Sequence, residues 1–205
     1  MFEIQVVGPT ITILALVNVF VHLYEDLKML RHKDAAVFTE PSARVPSGPM
    51  AATIISTLLA FGIILVIMLE YLLNLNSTLF ALFILLGDSP VFIWPVGFGL
   101  VILGIILHVW SRYVRQDMAA SWAMSRKHIL VTRGPYSRIR HPSYSAYMMC
   151  FIGLFLLIPS VLTLILLLGL YGYREIAIIE ESMLLDHFGE QYGYYMTRTG
   201  RFLPF

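Results

Sequence analysis

The chain has 205 residues, 58% hydrophobic and 13% charged, with a mean hydropathy of +0.77. Soluble domains carry about 25% charged residues, so a water-soluble globule is excluded. A net charge of +1, with no domain-wide basic surface, argues against nucleic acid as a partner. The single Cys150 can form no intramolecular disulfide, stands in an apolar run and has no activating neighbour, so it reads as a small buried residue. Six histidines without HxxxH or paired Cys/His spacing leave no metal motif.

The N-terminal MFEIQVV lacks the basic n-region of a signal peptide, so the first apolar run, about Ile4 to Tyr24, reads as a retained membrane span. A polar segment follows from Glu25 to Gly48. It carries Lys28, Arg31, Lys33 and Arg44 and ends in a loop marked by Pro41, Pro46 and Pro49. Span two runs from about Met50 to Leu73 and breaks at Asn74, Asn76 and Ser77. Thr78 to Leu86 is apolar but too short to cross a bilayer alone. It reads as an interfacial or re-entrant piece, or as an extension of span two. Gly87 to Pro90 is a turn. Span three covers about Val91 to Trp110, with Pro95 near its start, where proline is tolerated. Arg112 to Met124, with Met118 and Trp122 interleaved, suits a helix lying at the headgroup level. Lys127 to Tyr136 reads as looped, with Gly134-Pro135 as a breaker. Span four starts at Pro142, a good first helical residue, and runs to about Ile158. Pro159-Ser160 is a tight turn. Span five runs from Val161 to about Ile179, and its helix continues through Glu180 to Phe188 and stops at Gly189.

The expected fold is therefore all-α: one integral membrane domain over residues 1–205, with about five transmembrane helices. Residues 1–125 hold spans one to three and the interfacial segment, and residues 126–205 hold spans four and five. Five spans leave six flanks. Flanks two, four and six hold four, seven and three Lys or Arg, with Arg174 near the end of span five counted in the last. These are all 14 in the chain. The positive-inside rule then places the N-terminus outside and the C-terminus in the cytoplasm. Spans four and five, joined by two residues, form a tight hairpin. Arg140-His141 enters it and Glu180-Glu181 leaves it, so both dipeptides lie on the cytoplasmic side.

The stretch RGPYSRIRHPSYSAY, Arg133 to Tyr147, concentrates cations, prolines and tyrosines between apolar runs. Gly134 permits a turn or close approach to a ligand. Arg138 and Arg140 are cations at the membrane surface. Tyr136, Tyr144 and Tyr147 offer faces that attract cations, including sulfonium groups, and His141 can donate or accept a proton near neutral pH. A basic aromatic anchor would also use arginines and tyrosines, but it has no need of Gly-Pro plus His-Pro. Glu180 and Glu181 point about 100° apart on a helix, so they cannot serve one atom as a bidentate pair. One can face inward while the other bonds a neighbouring segment, or both can belong to a solvated face. Glu175 can pair locally with Arg174.

GPYSRIRHPSY, then EE about forty residues on, then FGEQYGYY and TGRFLPF, resembles the isoprenylcysteine carboxyl methyltransferase family and the related integral-membrane phospholipid methyltransferases. The resemblance covers about Leu130 to Phe205. It implies S-adenosylmethionine bound at the cytoplasmic end of the last helical hairpin, with the methyl acceptor entering from the bilayer. Gly134, Tyr136, His141 and Tyr144 match the first cofactor segment, Glu180 and Glu181 the second, and Arg201 a C-terminal basic position. Ala146 stands where many members have glycine, and Arg174 lies two residues earlier than the arginine many members place before the Glu pair. Arg140 or backbone N–H groups suit the cofactor carboxylate, a glutamate the ribose hydroxyls and tyrosine faces the sulfonium. In these terms Arg201, His141 and Glu181 are the candidate catalytic residues. Arg201 orients an acceptor carboxylate, whereas a lipid amine would need His141 or a glutamate as base. The implied function is methyl transfer to a lipid-borne acceptor, most like carboxyl O-methylation of an isoprenylcysteine. The alternatives are a phospholipid amine N-methyltransferase, an NADPH-dependent reductase of the sterol-reductase type, whose HPxY segment is similar, and a non-enzymatic multi-pass protein. The Glu pair disfavours the reductase, since a 2′-phosphate demands extra cations, and the absence of a sequence repeat disfavours a transporter.

Overall fold

A computed structural model describes residues 4–31, 45–75, 93–115 and 129–204. Among these, the helices in chain order are α1 (Ile4–Arg31), α2 (Ser47–Leu72), α3 (Ile93–Arg115), α4 (Pro142–Leu157), α5 (Val161–Leu166), α6 (Leu168–Phe188) and α7 (Glu190–Met196). A 3-10 turn, Gly134–Ser137, precedes α4. The all-α expectation holds among the described residues, where the isolated strand-like pairing is one parallel bridge, Ile139 with Gly200. The apolar segment Thr78 to Leu86, the turn Gly87 to Pro90 and most of the interfacial segment lie outside the described residues.

Helices α1, α2 and α3 have 28, 26 and 23 residues. At 1.5 Å per residue that is about 42, 39 and 35 Å, against a hydrocarbon core of about 30 Å. Val161–Phe188, interrupted only at Leu167, is the fourth stretch long and apolar enough to cross, and α4, Pro142–Leu157, is a shorter apolar helix. Large apolar side chains such as Phe20, Leu58 and Leu103 are exposed. In water such a surface would aggregate, whereas lipid tails match it.

The helix starts follow local rules. Pro49, Pro95 and Pro142 sit in first turns, where a missing N–H costs nothing. Ser160 and Thr163 cap α5 reciprocally, the Thr163 N–H donating to Ser160 Oγ at 3.3 Å and the Ser160 N–H to Thr163 Oγ1 at 3.0 Å. Gly189 ends α6 at φ 54°, a conformation glycine takes without strain. One boundary moves. The third span does not stop at Trp110, because α3 runs on to Arg115 and buries Ser111 and Arg112. No glycine or proline interrupts this stretch, and Arg112 and Arg115 in the last turn suit the negative end of the helix dipole.

The most extensive helix contact is α3 with α4, followed by α2 with α6, and α1 lies against α2 and α3. Burying apolar surface from lipid gives little drive, so close backbone approach has to hold such a seam. A Cβ on Gly153 would lie 2.7 Å from the Gly97 carbonyl oxygen, and one on Gly104 would lie 2.8 Å from the Ala146 carbonyl oxygen. Cys150 is buried on this seam as a small side chain. Helix α6 faces α4 in antiparallel order. Tyr144 meets Glu180, Tyr147 meets Tyr173, and Phe151 closes on Gly169. That order brings the start of α4 to the polar end of α6.

Candidate active site

Pro142 disfavours helical backbone in the residue before it, and His141 stands just outside α4 at φ −121° and ψ 60°. The C-terminal tail runs beside this entry. Arg140 N donates to the Gly200 carbonyl at 2.8 Å, His141 N to the Arg201 carbonyl at 3.1 Å, and Gly200 N to the Arg138 carbonyl at 3.0 Å. Ser145 Oγ donates to the Phe202 carbonyl at 2.7 Å, fixing the tail one turn further along. Arg140 adds side-chain bonds to the carbonyls of Met196, at 3.2 Å, and of Thr199.

Two adjacent carboxylates on α6, Glu180 and Glu181, are 7% and 3% exposed. Buried charges persist only when paired. The His141 ring lies between them, with Nδ1 3.4 Å from Glu180 Oε2 and Nε2 3.2 Å from Glu181 Oε1. The angle between adjacent helix positions thus turns each carboxylate to a different ring nitrogen. Tyr144 donates its hydroxyl to Glu180 at 2.5 Å. Glu181 also accepts from Arg140 Nε at 2.8 Å and from Arg201 Nε and Nη2, the last at 2.7 Å. Arg201 is the more open cation of the two, its side chain 33% exposed against 9% for Arg140.

Of the residues singled out in the sequence, Arg140, His141, Tyr144, Glu180, Glu181 and Arg201 therefore meet in one cluster. Gly134 and Tyr136 flank it on the 3-10 turn. Gly134 has φ 60°, and a Cβ there would press on Val114 of α3. Tyr136 is reached through its carbonyl, which accepts from the Tyr195 hydroxyl at 2.6 Å. Arg174 pairs with its neighbour Glu175 away from the cluster. Among the described residues, no group of three or more His, Cys, Asp or Glu is placed to hold a metal ion.

Residues 93–191 match the phospholipid methyltransferase family. A protein-S-isoprenylcysteine O-methyltransferase from Tribolium castaneum is 40% identical over 83 residues, which is 40% of this chain and 30% of that protein's length. The solved structure of the eukaryotic intramembrane Ras methyltransferase, isoprenylcysteine carboxyl methyltransferase, shares the fold. It aligns over 98% of this chain and 72% of that one, with a TM-score of 0.51 and 23% identity. The chain is thus similar to membrane methyltransferases in sequence over its C-terminal part and in fold over nearly its whole length, and it spans less than a third of the curated relative's length.

Several groups that hold the cluster carry no obvious signal in the sequence. Thr199 supplies a carbonyl to Arg140 and closes the tail with its own hydroxyl on the Tyr195 carbonyl at 2.7 Å. Tyr195, Ser145 and Phe202 act only through the folded tail. The motif TGRF is the trace they leave, since its Thr, Gly, Arg and Phe each make a contact of the cluster or the tail.

Burial works against charge on the His141 ring, but the hydrogen bonds and charges of Glu180 and Glu181 outweigh it and raise its pKa above the ordinary value. Folding therefore favours the protonated ring. Its contribution to stability is complete below about pH 6.5 and is lost as pH rises through the raised folded-state value. The gap in melting temperature between the wild type and His141→Gln should accordingly narrow as pH rises above about 6.5. Thermal melts of both proteins in detergent across that range check this, and a gap that widens with pH would show a neutral ring.

Proposed function

We propose that the chain catalyses S-adenosylmethionine-dependent methyl transfer to a lipid-borne acceptor at the membrane surface, most like carboxyl O-methylation of an isoprenylcysteine-type substrate. The observation that carries this reading is the cluster of His141, Glu180, Glu181 and Arg201, which three separate segments bring to one end of the α4 and α6 pair. The names of the relatives point to the same chemistry. The residues around the cluster fit a ligand with many polar atoms. Beside it, Tyr136 Oη and Ser143 Oγ are buried with no hydrogen-bond partner among the described residues, and both residues are 7% exposed. Gly134, Tyr136, His141, Tyr144, Glu180 and Glu181 are the residues that would hold the cofactor. S-adenosylmethionine, when bound, supplies an electrophilic methyl group. Arg140 is tied to Glu181 and to the tail, which makes it the clamp that shapes the site.

The protonation of His141 favours a carboxylate acceptor over an amine. A ring held as a cation by two carboxylates is a poor base, and a carboxylate oxygen has no proton to lose. Arg201, the more exposed cation, would orient it. Catalysis then rests on alignment and exclusion of water. In five crossings the cluster and all flanking Lys and Arg share one side, which the positive-inside rule makes cytoplasmic.

Calorimetry of the detergent-purified protein with S-adenosylmethionine and S-adenosylhomocysteine, with NADPH as the control, tests the reading. Binding of the first two at about micromolar dissociation constants is expected, followed by methyl incorporation into a prenylcysteine carboxylate. Folded protein that binds neither, or binds NADPH alone, overturns it. Methylation of a phospholipid amine, abolished by His141→Ala, would shift the acceptor class.

A further inference from the structure

Deeper in the bundle, α1, α2, α3 and α4 enclose a cavity of about 30 Å³, room for about two water-sized groups. Phe61 and Phe151 are typical of its wall, which turns polar at Asn18, Thr57, His108 and Tyr147. Tyr147 stacks on Tyr173 at 5.2 Å between ring centroids, and Tyr173 lies 4.7 Å from Tyr144. These rings stand between the cavity and the cluster around Glu180, so the two sites are distinct.

The polar atoms of the wall are not all satisfied. Thr57 Oγ1 is paired with the Tyr173 hydroxyl at 2.9 Å. Asn18 Oδ1 and His108 Nδ1 are buried with no hydrogen-bond partner among the described residues, and His108 is 8% exposed. In hydrocarbon no bulk water meets that need. The other His108 ring nitrogen, Nε2, lies 2.9 Å from His22 Nε2, so one of these two atoms carries a proton and donates to the other. With His22 as donor, His108 carries its own proton on Nδ1 as an unpartnered N–H, and the unpartnered acceptor oxygen of Asn18 belongs to the same cavity wall. One hydroxyl answers both, donating to Asn18 Oδ1 and accepting from His108 Nδ1. A carboxylate has no proton for Asn18, and in this tautomer an ammonium has no lone pair for the His108 N–H. Beyond Ile105 an apolar cleft of about 330 Å³ opens between α1 and α3, lined by Leu14, Val17 and Trp110. It offers space for a hydrocarbon body.

We propose that this cavity is a second binding site, for the hydroxyl end of a neutral lipid alcohol drawn from the bilayer. The test uses the full chain in phosphatidylcholine nanodiscs and a hexadecanol probe with a diazirine beside the hydroxyl. Matched probes carry a methyl ether or a carboxylic acid instead. The alcohol should label residues 105–108 or 146–151, and unlabelled hexadecanol should compete where its methyl ether does not. Asn18→Leu and His108→Phe should each cut labelling about tenfold, the effect of losing one good hydrogen bond. Asn18→Leu should melt no lower than the wild type, because its oxygen bonds nothing among the described residues.

Equal labelling by alcohol and ether, wild-type labelling of both variants, or preference for the acid overturns the proposal and leaves the cavity to water or to another ligand. The probe comparison needs only wild-type protein, so a variant that failed to fold would not blunt it. S-adenosylhomocysteine binding measured on the same samples keeps the two sites apart. Alcohol-selective labelling in protein that binds no S-adenosylhomocysteine would retain this site and remove the methyltransferase reading.

Discussion

Glu181→Gln is expected to lower the melting temperature of the detergent-solubilised protein and to abolish measurable S-adenosylhomocysteine binding. Glu181 is the common partner of Arg140, His141 and Arg201, and its side chain is 4% exposed. Removing one member of a buried ion pair costs about 3–5 kcal/mol, because the other charge is left uncompensated. The lower end, about 3 kcal/mol, applies here, since Arg201 is a third exposed and can turn to water. Glutamine keeps the shape and one acceptor oxygen, so Glu181→Ala should fall further. The helices themselves should persist, because their main seams lie elsewhere, between α3 and α4 and between α2 and α6. Thermal melts followed by circular dichroism, with calorimetry on the same samples, measure both effects. A variant that melts and binds like the wild type would remove Glu181 from the centre of the site.

Gly153→Leu is expected to destabilise the bundle by about 2–3 kcal/mol, the upper part of the range for overpacking a well-packed contact. The added Cβ would meet the Gly97 carbonyl oxygen at 2.7 Å and the Val101 backbone nitrogen at 3.0 Å. Neither is the far end of a flexible side chain, so the helices themselves must part. Gly99→Ala on α3 is the matched control. A Cβ there meets nothing within 4 Å, and replacing a mid-helix glycine by alanine favours the helix by about 0.5–1 kcal/mol. If Gly153→Leu melts like Gly99→Ala, the α3–α4 seam does not hold the structure together. If it melts lower yet binds S-adenosylhomocysteine with unchanged affinity once folded, the seam and the site are energetically separate.

The amino-acid sequence by itself determined what depends on neighbours along the chain. Apolar runs long enough to cross a bilayer, prolines at helix starts, and Gly189 at the end of α6 are local properties, and the helices follow them. The segregation of Lys and Arg to alternate flanks is equally local and carried the expected orientation. The density of Gly, Pro, His and Tyr from Arg133 to Tyr147 marked one half of the site, and Glu180-Glu181 the other. Only the tertiary structure decided how the halves fit. That Glu180 takes one nitrogen of His141 and Glu181 the other depends on how α6 is rotated against α4, which no local pattern encodes. The roles of Thr199, Ser145 and Phe202 depend on the tail returning to Arg140 across 59 residues. Asn18 and His108, each with an orphaned atom, line one cavity only because α1 and α3 lie side by side, 86 residues apart at the His22–His108 contact. Periodicity and turn chemistry report where a helix begins and which residues it carries. Which of those side chains share a space is settled by packing between helices, where each contact is made with a residue far along the chain.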